Sequence, residues 1–241
     1  MRRYVKVSPL LPCLLLSNAT LALTILLPDI PPFAYQDAET GKPAGILLSQ
    51  EERILHTAGI TADFKVVPIP RALSTVQHSK EYCMGARRLS NKYLNHYVWS
   101  EPIAKNEISI YGLNYSRQKL NKLEDIREQS IAVSNGTVAQ EILEEKHIRH
   151  TAVNGSSSMV SMLKEGRVQL IAISRADYIA AIKDNKIGNT ELYRSFDIGD
   201  PYLRMACNRN IEFSTMRKIN ETIRQFKQSG SLKSLDAIAH P

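Results

Sequence analysis

The chain is poor in cysteine and tryptophan, with three Cys and one Trp among 241 residues. So few cysteines exclude a disulfide-dense scaffold. No apolar run reaches the length of a membrane-spanning helix; the longest near the start, Leu10 to Leu16, is too short to span a bilayer well. No internal repeat or low-complexity stretch is visible. No P-loop and no dinucleotide fingerprint occurs. The only close histidine pair is His147 and His150, with no cysteine or carboxylate joining it at metal-ligand spacing, so neither a metal nor a cofactor is expected. Gly155-Ser-Ser-Ser158 precedes a helix pattern and reads as a turn with an N-cap, not as a nucleophile elbow. Basic residues are scattered without a block or interleaved aromatics, which argues against nucleic-acid binding. The formal net charge is +7; three of those charges are Arg2, Arg3 and Lys6, which leaves 7 − 3 = +4 for the rest.

Those three residues make a basic start before the short apolar core. Small residues come next at Ser17-Asn-Ala19 and Thr20-Leu-Ala22. This is the pattern of a cleaved export signal, residues 1–22, and it implies a periplasmic protein. Cys13 follows a proline inside the core, so no lipid anchor is expected. Cleavage leaves Cys83 and Cys207, a disulfide candidate in an oxidising compartment. Two buried, unpaired thiols are the other reading.

Roughly 219 residues remain, enough for one large domain or two small ones. Strand-length apolar runs alternate with amphipathic stretches: 23–28 then 45–58, 63–67 then 70–79, 130–134 then 137–146, 168–173 then 175–184. Such alternation predicts an α/β fold with largely parallel sheets. The helix at 45–58 gathers Ile46, Leu47, Ile54, Leu55 and Ala58 on one face and stops at Gly59. A last helix near 214–229 gathers Met216, Ile219, Ile223 and Phe226, with Gly230 beyond its end.

The segment Leu23–Pro28, the corner Pro31-Pro32-Phe33 and the helix start Gly45-Ile46-Leu47 resemble the opening of the extracellular solute-binding proteins of family 3. Val67-Pro-Ile-Pro-Arg71, Trp99-Ser-Glu-Pro-Ile103, Val133-Ser-Asn-Gly136-Thr137 and Gly166-Arg-Val-Gln-Leu170 continue the resemblance in order, and it covers essentially all of 23–241. It implies a two-lobed periplasmic-binding-protein (type II) fold, each lobe a mostly parallel sheet flanked by helices, joined by two crossover strands. Lobe 1 would hold 23–105 plus 206–241, and lobe 2 would hold 106–205. Cys83 and Cys207 would then both lie in lobe 1. The ligand would sit between the lobes, at strand C-termini and helix N-termini.

Chemistry at those places marks the candidate contacts. Phe33 and Tyr35 alternate after a strand end and offer rings, although Phe33 reads equally as a packed corner. Gly136 and Thr137 open a helix, where they either bind an oxygen or cap it. Arg71, Arg87 and Arg88 are fork-shaped donors near strand ends, and Gly85 precedes the last two; a surface role is the alternative for each arginine. Two positions depart from the family. Where its arginine grips an α-carboxylate, this chain has Tyr93; where its aspartate grips an α-ammonium, it has Ser174. Asp177, a turn later, reads as a cap or a solvent-facing residue. The expected ligand is therefore a small polar or anionic solute without an obligatory ammonium. The resemblance implies a monomeric, non-catalytic binding protein that serves a membrane transporter permease. A sensor partner is the second reading. A dehydratase-like enzyme, with Glu101 or Asp177 as acid or base, is the third.

Overall fold

The computed structural model describes residues 22–31, 33–185, 188 and 191–232. The expected signal, apart from Ala22, lies outside the described residues, as does Pro32 of the Pro-Pro corner. Two sheets divide the chain. The first contains β1 (Leu23–Leu27), β4 (Ala62–Val66), β5 (Tyr82–Arg88), β6 (Tyr97–Trp99), β7 (Ala104–Lys105) and β13 (Tyr202–Asn208). The second contains β8 (Ile108–Leu113), β9 (Ile131–Ser134), β10 (Thr151–Val153), β11 (Leu170–Ser174) and β12 (Leu192–Ile198). A small hairpin, β2 (Tyr35–Gln36) with β3 (Pro43–Ala44), stands apart.

Each lobe repeats one plan. Three parallel strands, β4-β1-β5 in one and β10-β9-β11 in the other, carry β13 or β8 antiparallel on their flank. The sheets are thus mixed, not mostly parallel. The antiparallel members come directly after the crossings, where the chain enters from the other lobe. Those crossings lie between β7 and β8 and between β12 and β13. The second comes before the expected return at 206, because β13 pairs with β7 from Tyr202.

The helices cover both faces, as apolar spacing demands. They are α1 (Ile46–Thr57), α2 (Ile69–His78), α3 (Val138–Glu145), α4 (Ser156–Lys164), α5 (Arg175–Asp184) and α6 (Phe213–Gln228). In lobe 1, α1 and α6 bury Leu47, Ile54, Leu55, Met216, Ile219 and Ile223 against Ile25, Leu27 and Met205. Leu26, Met84 and Ala206 face the other way, against Ala72 and Val76 of α2. In lobe 2, Val133 and Ala172 pack on Leu143, while Ile171 and Ile173 join Met159 and Leu163. The end of α6 is less buried than its spacing suggests, with Phe226 only half-buried.

Cys83 and Cys207 stand directly opposite each other on β5 and β13 and form a disulfide. A few residues on, β5 bulges: Gly85 and Ala86 together oppose Met205. Ala86 adopts a left-handed φ of 52°. Its amide turns to α1 and donates to Glu51 Oε1 at 2.9 Å. Glu51 is fully buried, and its other oxygen rests where a Cβ on residue 85 would stand, so only glycine fits there. Glu51 Oε2 has no partner among the described residues. Burial pushes this carboxyl up to about 8, opposed only in part by the Ala86 amide. The bulge shifts the phase of the strand end that carries Arg87 and Arg88, and both line the cavity between the lobes.

Two outcomes are expected. Reducing the Cys83–Cys207 bridge, which spans 124 positions, should lower the unfolding free energy by about 2–4 kcal/mol in urea titrations with and without reductant. Equal midpoints would contradict this. Glu51 has a folded pKa above its unfolded value of 4.5, so it destabilises the fold progressively as pH rises from about 4.5 to about 8. Glu51→Gln should therefore remove a decline of up to roughly 1.4 kcal/mol per pH unit across that window. Parallel stability–pH curves for the variant and the parent would refute the assignment.

Candidate functional site

A cavity lies between the lobes, walled by both. It measures about 60 Å³, several times the roughly 10–15 Å³ that one water requires. Lobe 1 contributes Phe33, Leu47, Met84, Arg87 and Arg88; lobe 2 contributes Ser134, Thr137, Val138, Met159, Ser174 and Asp177; Asn106 comes from the first crossing. Most of the wall is apolar, and its ionisable groups come from both sides.

Phe33 is 2% exposed, so it is a packed wall as much as a free ring. Gly45 holds that corner: a side chain there would collide with the Phe33 carbonyl, and its φ of 123° suits glycine. Arg88 donates from Nε to the Asn106 carbonyl at 3.1 Å, and Nη2 reaches the same oxygen. Nη1 has no hydrogen-bond partner among the described residues. Burial lowers the guanidinium to about 10, and the nearby Asp177 charge works against that fall.

Asn106 serves several masters at once. Its N–H donates to the Pro201 carbonyl of the second crossing at 2.8 Å. Its Oδ1 accepts from Ala176 N at 3.0 Å, satisfying a donor in the first turn of α5. One residue therefore ties Arg88, both crossings and the start of α5 together.

Ser174 caps α5. Its hydroxyl donates to Asp177 Oδ2 at 2.5 Å and accepts from Asp177 N at 3.2 Å. Of the two readings of Asp177, a cap or a solvent-facing residue, the first fits: it is hydrogen-bonded to Ser174 at the start of α5 and half-buried in the cavity wall. Burial raises its pKa, while the Ser174 hydroxyl and the Arg88 charge pull it down. A carboxylate absent at residue 174 is thus present at the cavity wall three residues later.

Thr137 lines the cavity, but its hydroxyl is engaged. It donates to the Ser134 carbonyl at 2.7 Å and accepts from Gln140 N at 3.4 Å, a helix cap. Four expected contacts do not line the cavity. Gly136 lies in an outer crevice, and its amide donates to Gln140 Oε1 at 2.8 Å. Gly85 packs on Glu51. Tyr35 is held in the β2–β3 hairpin, and Arg71 is exposed on α2. Tyr93 sits under the cations of Arg87 and Lys92, at 5.5 and 5.4 Å from its ring centre, outside the cavity. Glu101 also lies elsewhere, paired with Arg224 and Lys227 at 3.4 Å each. Asn106 escaped the sequence reading because nothing local marks a crossing; only the fold brings its partners together.

No family model matches the chain, and no curated protein matches it. Solved structures do. A histidine kinase sensor domain with similarity to periplasmic binding proteins superposes with a TM-score of 0.75 at 17% identity, over 88% of this chain and 92% of that one. An ancestral arginine-binding protein bound to arginine gives 0.69 at 20% identity, over 88% and 94%. The GluR0 ligand-binding core from Nostoc punctiforme, in complex with L-glutamate, gives 0.70 at 16% identity, over 87% and 95%. The architecture and these likenesses identify the fold as that of the two-lobed periplasmic binding proteins.

Proposed function

We propose that this protein is an exported, monomeric solute-binding protein that captures a small polar solute between its lobes for delivery to a membrane transporter. The observation that carries the reading is the pair Arg88 and Asp177. They belong to different lobes yet face one cavity. Arg88 offers a charge-assisted donor to a carboxylate or carbonyl oxygen. Asp177 offers an acceptor to an N–H, O–H or cationic end. Phe33, Leu47, Met84 and Met159 enclose a compact apolar body; Thr137 and Ser174 complete the wall through their caps. The solute is thus bipolar. Asp177 removes the sequence-based ground for expecting no ammonium, and the arginine and glutamate named for similar structures fit the same class. The disulfide suits an oxidising compartment such as the periplasm.

A sensor role is the second reading, in which the same closure is reported to a membrane kinase instead of a permease. The likeness to a histidine kinase sensor domain favours keeping it.

Calorimetry against small amino acids and small carboxylates tests the site. Arg88→Ala should cost roughly 1.5–3 kcal/mol with any ligand that has an anionic end. Asp177→Asn should weaken zwitterions at least about tenfold and leave simple monocarboxylates unchanged or tighter. Binding that neither substitution alters would place the solute elsewhere.

A further inference from the structure

The sequence holds two Asn-Gly dipeptides, Asn135-Gly136 and Asn154-Gly155. The fold of lobe 2 brings them side by side. Asn135 follows β9 and Asn154 follows β10, neighbouring parallel strands, and Asn135 Nδ2 donates to Asn154 Oδ1 at 2.9 Å. The two dipeptides are chemically alike. Glycine leaves the following backbone nitrogen unshielded, so that it can attack the asparagine carboxamide. Their surroundings differ. The Gly136 amide is half-buried and donates to Gln140 Oε1 at 2.8 Å. Asn154 and Gly155 are both exposed, and the Gly155 amide has no hydrogen bond among the described residues. No atom beyond its chain neighbours lies within 4 Å of where a Cβ on residue 155 would stand.

We propose that Asn154 is a site of spontaneous covalent modification, deamidating through a cyclic imide with Gly155 while Asn135 is spared. The Gly155 N–H gives its proton to hydroxide, and the nitrogen attacks Asn154 Cγ. The Asn135 donor at Oδ1 polarises that carbonyl and stabilises the charge that develops on it. The Cγ–Nδ2 bond then breaks; the departing nitrogen takes a proton from water and leaves as ammonia. Water opens the ring at either carbonyl, giving aspartate or isoaspartate. Water is consumed and ammonia released in equal amounts, with no oxidation or reduction. The new carboxylate stands just before the N-terminus of α4, where the helix dipole favours negative charge. The isoaspartate form adds a methylene to the main chain at the entry to α4. At Asn135 the same attack requires that the Gly136 amide first leave Gln140, which slows it at least about fivefold.

Trypsin separates the two sites: residues 128–146 hold Asn135 and residues 150–164 hold Asn154, each as the sole asparagine of its peptide. The purified protein is incubated at mildly alkaline pH, and deamidated peptides are quantified over time by mass spectrometry. In folded protein the Asn154 peptide should convert at least about fivefold faster than the Asn135 peptide. In concentrated guanidinium the two rates should converge, since only the fold distinguishes them. Gln140→Ala keeps the backbone cap at Thr137 but removes the acceptor of the Gly136 amide. It should bring Asn135 toward the Asn154 rate, with circular dichroism confirming that the variant is folded. Equal rates in folded protein, rates that stay apart in guanidinium, or an Asn135 as slow in Gln140→Ala as in the parent would overturn the assignment.

Discussion

The buried Glu51 carboxyl holds the bulge in β5, the strand whose end carries two arginines of the cleft. It receives the Ala86 amide that the β5 bulge releases from the ladder, and it occupies the space a side chain at Gly85 would need. A carboxyl in the core is costly when charged, and one of its oxygens lacks a partner among the described residues. What it achieves is a fixed irregularity in an otherwise regular strand. The bulge precedes Arg87 and Arg88, which pair in regular register with Arg204 and Leu203 and so alternate across the sheet: Arg88 toward the crossing and the cavity, Arg87 toward α3.

From there the contacts spread through Asn106. Arg88 rests on its backbone carbonyl, α5 hangs from its side chain, and the second crossing accepts its amide. The Arg175 amide also donates to the Glu107 carbonyl at 2.8 Å, so the start of α5 is attached to the first crossing twice. Both crossings between the lobes meet at this junction. It is also where Asp177 is set against Arg88. The groups proposed to grip the solute are therefore held by the same short segment that joins the lobes.

Much of the architecture was legible in residue spacing. The apolar runs placed α1, α2, α3, α5 and α6 within a residue or so of their ends, because each carries a face that must be buried. The disulfide pair emerged from compartment and count. The edge strands β10 and β12 were harder to see, since such strands alternate weakly and carry charges like Arg194 and Asp197 of β12. In the site, Phe33, Arg88, Thr137 and Ser174 were brought to the cavity, while Tyr35, Arg71, Gly85 and Gly136 were not. The difference is physical. Position relative to a strand end is written locally, but side-chain direction is not. A bulge redirected Arg88; capping consumed the Gly136 amide. Asn106 and Asp177 acquire meaning from partners that the fold brings to them, such as Ala176, 70 positions from Asn106.

The account turns on a solute held between Arg88 and Asp177. The most direct measurement is a crystal structure of the protein with the solute that co-purifies with it, identified by mass spectrometry after gentle denaturation. The account predicts density in the cavity beside Phe33, with a ligand oxygen within hydrogen-bonding distance of Arg88 Nη1 and a donor on Asp177. A solute seated in the outer crevice beside Gly136 and Tyr93, with Arg88 and Asp177 left uncontacted, would contradict it.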